Sequence, residues 1–131
     1  MSTLRSLTVD ARLYRWRVYH RHHPPSGCAE VVYACAAGFR QSGLRLFFPE
    51  GPGRFSDAGE VFDLGEPPWA LPLHRPKAVA HLIRLARLHG WAPETSRREH
   101  VVEAGHDLVR RHLDTLADVM TPPPIRTEPS P

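Results

Sequence analysis

Lysine is nearly missing from this chain: of its seventeen basic residues sixteen are arginine, and Lys77 is the only lysine. Alanine, proline and glycine are plentiful alongside the arginines. That bias is expected of GC-rich coding, as in a GC-rich bacterial genome. Part of the net charge of +3 and the pI near 9.3 is then compositional and carries no nucleic-acid signature by itself. Apolar runs of the roughly 20 residues a membrane span needs are also lacking. Met1 is not followed by the basic stretch and apolar run of a secretory leader. No membrane partner is expected, and the location is read as cytoplasmic. Cysteine is scarce too. Cys28 and Cys35 lie seven apart, so on one strand they point to opposite faces and cannot pair. Two reduced, buried thiols are expected, and their spacing fits no zinc pattern.

Acids are absent from Pro67 to Pro93, where four basic residues stand, while five acids accompany only Arg54 from Glu50 to Glu66. From Met1 to Phe47 seven arginines oppose only Asp10 and Glu30. The chain is banded in charge, and a fold can gather those bands into patches.

Among what is present, Pro76 to Pro93 carries the clearest local signals. Proline suits the first helical turn, and Gly90 suits a left-handed residue just past the end, with Trp91 folding back on the last turn. Val79, Leu82, Ile83 and Ala86 share one face; Lys77, His81 and Arg84 share the other. The chain before it supplies strands: Leu4–Val9 and Arg12–Arg21 joined at Asp10 and Ala11, then Cys28–Ala36, then Leu44–Phe48. After Glu30, Cys28–Ala36 is apolar on both alternations, as expected of a central strand covered on both sides. Pro49 to Pro76 reads as a long proline- and glycine-rich connection with an edge strand at Glu60–Leu64. Beyond Pro93, Ser96 and Glu99 form a capping-box pattern, but Gly105 inside a helix costs about 1 kcal/mol. A strand over Glu99–Glu103 and a helix His106–Met120 are therefore preferred.

The expected fold is α+β: an antiparallel sheet of four or five strands covered by helices Pro76–His89 and His106–Met120. Residues 1–120 form a single domain and 121–131 a disordered, proline-rich tail.

The functional candidates follow from these faces. Arg15, Arg17 and Arg21 with Tyr19 make a basic strand face with one aromatic, the arrangement by which single-strand binders track phosphates and stack bases. Lys77, His81 and Arg84 offer a basic helix face for an acidic partner. His20, His22 and His23 read as solvated histidines at a strand exit, because zinc sites announce themselves by paired ligand spacings. Glu50–Gly53 lacks the order of a phosphate loop. Asp57 with Glu60, and Asp63 with Glu66, read as solvated surface acids. No cofactor, metal or catalytic residue is assigned. The expected function is a small non-enzymatic module, an accessory or regulatory protein binding a protein partner. The alternative is nucleic-acid binding through Arg15, Arg17, Tyr19 and Arg21. A hydrolase or transferase would require a histidine to meet a carboxylate or thiol in a hollow.

Overall fold

A computed structural model describes residues 4–23 and 27–121. Eight strands and three helices run in the order β1 (Arg5–Val9), β2 (Arg12–His23), β3 (Gly27–Ala36), β4 (Leu44–Pro49), β5 (Arg54–Asp57), β6 (Glu60–Asp63), β7 (Trp69–Pro72), α1 (Pro76–Leu88), β8 (His100–Val102), α2 (Gly105–Arg110) and α3 (Leu113–Leu116). They form an α+β fold with a five-stranded sheet, β1-β2-β3-β4-β8, and a three-stranded sheet, β5-β6-β7.

The first hairpin turns where the alternation breaks. Asp10 and Ala11 both have positive φ, 50° and 64°, which gives the turn the twist that adjoining strands require. Tyr14, Trp16 and Val18 then face inward beside Ala36, Ala34 and Val32 of β3, and Leu44, Leu46 and Phe48 of β4 continue that face. Against it pack Val79, Leu82, Ile83 and Ala86 of α1, Trp91, Leu108 and Val109 of α2, and Val61, Trp69 and Leu71 of the smaller sheet, forming one apolar core. Burying each large side chain is worth about 1.5–3 kcal/mol, so this face dominates the stability.

Helix α1 ends as its sequence implies. Gly90 has φ 112°, its amide reaches the Arg87 carbonyl and the Trp91 amide reaches that of Ala86 at 2.9 Å, the paired bonds of a glycine-terminated helix. Trp91 is buried, its ring centroid 5.8 Å from that of Tyr14, and its Nε1 donates to the Ser42 carbonyl at 2.8 Å.

Four expectations need correction. The large sheet is mixed, because β8 runs parallel to β4; the chain crosses over through α1 before it returns. The connection after Pro49 is a second antiparallel sheet, its proline-bounded strands only four residues long. The last helix is broken: His112, at φ −133° and ψ 36°, leaves the helical region between α2 and α3. Thr121, assigned to the tail, pairs with Ala70; the rest of that tail, 122–131, lies outside the described residues.

Gly105 opens α2. A Cβ there would lie 2.5 Å from the Phe47 carbonyl oxygen and 3.0 Å from the Phe48 ring. The missing side chain lets the start of α2 sit directly on β4. Among the described residues no helix is long and apolar enough to cross a membrane.

Candidate functional site

The outer face of the large sheet holds the sequence-predicted strand residues. Arg15, Arg17, Tyr19 and Arg21 alternate with the inward Tyr14, Trp16 and Val18, so all four share that face. The strand register adds Tyr33 beside Arg17 and places Arg45 beside Tyr33 and Phe47 beside Val31. None of these joins the apolar core, which draws on the sheet from the opposite face, Val102 beside Leu46 included.

The outer layer is made from the sheet's own long side chains. The Arg17 guanidinium lies 4.9 Å from the Tyr19 ring centroid and 5.9 Å from that of Tyr33. Arg45 lies 4.9 Å from the Tyr33 centroid, and Arg21 5.6 Å from that of Phe47. Arg45 also donates to the Tyr19 hydroxyl at 2.6 Å and pairs with Glu99 at 2.7 Å. Beneath this layer Val31 is completely buried. Here β3 departs from expectation: its outer side is covered by arginine and tyrosine side chains and not by a second layer of secondary structure.

Two hollows flank the layer. One of about 410 Å³ lies between Arg15, Arg40, Leu4 and Cys35. The other, about 360 Å³, is bordered by Arg21, Phe47, Cys28 and Glu103. Arg15 and Arg21 are exposed and have no ion-pair partner among the described residues. Both point their charge outward, where an anion can reach it.

The helix stripe is occupied differently. Lys77 and His81 both pair with Asp118, at 2.9 and 3.0 Å, and Arg84 pairs with Asp10 at 3.1 Å. Intramolecular acids compensate the charge that the sequence left unbalanced.

A third cluster ties the small sheet to α2. Asp63, read from sequence as a solvated acid, is buried. It accepts from the Gly65 amide at 2.9 Å and from Arg110 at 3.0 Å, with Arg54 Nε 3.4 Å away. Burial pushes its carboxyl up, but the Gly65 bond, the Arg110 bond and charge, and the Arg54 charge outweigh it and leave the pKa below the ordinary carboxylate value. A hollow of about 540 Å³ opens beside these three residues. Oδ1 accepts both hydrogen bonds, while Oδ2 has none and faces the Arg54 guanidinium, so the cluster serves as a tie between the small sheet and α2.

His106 stands behind it, buried, its ring centroid 5.4 Å from Phe48 and 5.5 Å from Trp69. Burial, followed by the Arg54 charge, lowers its pKa to about 4. Neither ring nitrogen has a hydrogen-bond partner.

The histidines at the far end of β2 do converge on other groups. His20 Nδ1 lies 2.6 Å from Glu30 Oε1, and His22 Nδ1 lies 2.8 Å from Cys28 Sγ. The side chain of His23 lies outside the described set. Sequence reasoning missed this meeting because His22 and Cys28 are joined by hairpin register, which the proline-rich break between them hides. Cys28 and Cys35 are both free and share β3, on opposite faces.

No family model, curated protein or solved structure matches the chain.

Proposed function

We propose that the chain is a cytoplasmic binding module, an accessory protein that docks an acidic protein segment across the outer face of the large sheet. The observation that supports this reading most is the state of the aromatic rings on that face. Tyr19, Tyr33 and Phe47 each have a guanidinium within 6 Å of the ring centroid. A nucleobase would have to displace an arginine to stack there, whereas a carboxylate can approach from outside and leave the rings covered. Arg15 and Arg21 supply two further cations at the ends of the layer, and Val101, exposed on the β8 edge, supplies an apolar margin. Arginine in this setting suits planar, bidentate recognition of carboxylates.

The nucleic-acid alternative uses the same Arg15, Arg17, Tyr19 and Arg21 and shares the same steering charge. NMR shift mapping separates the two. Addition of a glutamate-rich peptide should move resonances on β2, β3 and β4 and leave α1 unchanged. Shifts produced instead by an oligonucleotide, with none from the peptide, would replace this reading with the alternative. Shifts centred on Lys77 and Arg84 would refute both.

A further inference from the structure

We infer that His20, His22 and Cys28 form a zinc-binding site at the turn end of the β2–β3 hairpin, with Glu30 orienting His20. Antiparallel register sets His22 opposite Cys28 and His20 opposite Glu30. Positions two apart on a strand share a face, and directly opposed residues bring their side chains within about 5 Å at Cβ. One ligand atom from each of His20, His22 and Cys28 lies within 4.8 Å of the other two. Two imidazoles and a thiolate form a donor set suited to zinc. Ligands on a tetrahedral zinc, with bonds of about 2.0–2.1 Å to nitrogen and 2.3 Å to sulfur, stand roughly 3.6 Å apart. The His22 Nδ1 to Cys28 Sγ distance of 2.8 Å must open by less than 1 Å to admit the ion. His22 is exposed and Cys28 half-buried, so both can make that adjustment.

Glu30 adds an independent argument. Its carboxylate is buried, and it accepts from His20 Nδ1 at 2.6 Å. A carboxylate in that position orients the ring and leaves Nε2 as the free donor. Burying an acid beside a histidine that carries no further task is costly; orientation of a ligand gives the contact a use.

The competing chemistry is a thiol nucleophile with His22 as its base. Such a dyad needs a third group that orients the base. The oriented ring here is that of His20, and His22 has no partner besides Cys28 among the described residues. Three protein ligands also leave a coordination position open to water or to a side chain of a bound partner.

The test is a zinc titration of chelator-stripped full-length chain against a chromophoric competitor, with cobalt(II) as a spectroscopic probe. One equivalent should bind tightly, and the cobalt complex should show a thiolate-to-metal charge-transfer band in the near ultraviolet. Cys28→Ser and, separately, His22→Ala should each weaken zinc binding at least about tenfold and the former should abolish the band. Glu30→Gln should weaken binding by about 10- to 100-fold with the stoichiometry unchanged. Cys35→Ser should behave as wild type. So should His112→Ala, which removes the exposed His89–His112 contact of 2.7 Å. Circular dichroism verifies that each variant is folded. Absence of tight binding, a cobalt spectrum without the thiolate band, or affinity unchanged by Cys28→Ser would overturn the assignment.

Discussion

Arg45 donates from Nη1 to the Tyr19 hydroxyl at 2.6 Å, spanning the width of β3. That single bond links β2 to β4 across the outer face and, with the guanidinium stacked on Tyr33, closes over Val31. The same side chains therefore hold the sheet's outer layer together and present its charge. Arg45→Ala should cost about 1–2 kcal/mol in urea denaturation, since a charged hydrogen bond and a stacked contact are lost from a side chain partly open to solvent. Arg15→Ala, which removes no such contact, should stay within about 0.5 kcal/mol of wild type.

His106 sets a pH dependence. Its folded pKa of about 4 lies below the ordinary 6.5, so the folded state resists protonation that the unfolded chain accepts. Its contribution is complete above pH 6.5 and is lost as pH falls toward the folded value. Between pH 7.5 and pH 5 this group alone should remove about 2 kcal/mol of unfolding free energy. His106→Leu should flatten the profile by that amount. An unchanged slope in the variant would show that other groups carry the acid sensitivity.

Asp63 works in the same direction at lower pH. Its carboxyl is held below the ordinary value of 3.8, so its stabilisation is present above that pH and fades as pH drops toward the folded value. Asp63→Asn removes one anionic partner from Arg54 and Arg110, whose side chains are 33% and 26% exposed, while Arg54 keeps Asp107 and Arg110 keeps the Glu66 and Pro67 carbonyls. The expected loss is about 2 kcal/mol, smaller than for a fully buried pair because water reaches both guanidinium groups.

Backbone geometry gives a change of opposite sign. Ala11 occupies the left-handed region at φ 64°, where a Cβ costs about 1–2 kcal/mol. Ala11→Gly should raise stability by about 1 kcal/mol, after the greater freedom of glycine in the unfolded chain is offset. Gly105→Ala should do the reverse and cost at least about 1–3 kcal/mol, because its Cβ would press on the Phe47 carbonyl. Thermal melts of both variants check the pair.

The parts of this fold legible in the sequence were those with local causes. Pro76 and Gly90 bracket α1, and the alternation of Tyr14, Trp16 and Val18 with Arg15, Arg17 and Tyr19 assigns the two faces of β2. Arg45 and Phe47 showed the same alternation against Leu44, Leu46 and Phe48, yet nothing local said that they would meet Tyr19 and Arg21. Tyr33 was hidden more deeply, since its strand is apolar on both faces and the outer one is closed by neighbouring side chains. The direction of β8 depends on a crossover, and the small sheet on pairing between four-residue strands punctuated by proline. Neither leaves a periodic trace. The break at His112 also has no local marker such as glycine or proline; it coincides with the contact between His112 and His89.

The outer sheet face is proposed to dock an acidic protein segment. Fluorescence anisotropy with a labelled glutamate-rich peptide and a labelled single-stranded oligonucleotide, each at low and physiological salt, tests it most directly. The peptide should bind more tightly than the oligonucleotide, and its binding should weaken as salt rises. Arg15→Ala with Arg21→Ala should weaken it further by about fivefold, and Lys77→Ala should leave it unchanged. Preferential binding of the oligonucleotide, no peptide binding at low salt, or indifference to the Arg15 and Arg21 substitutions would contradict it.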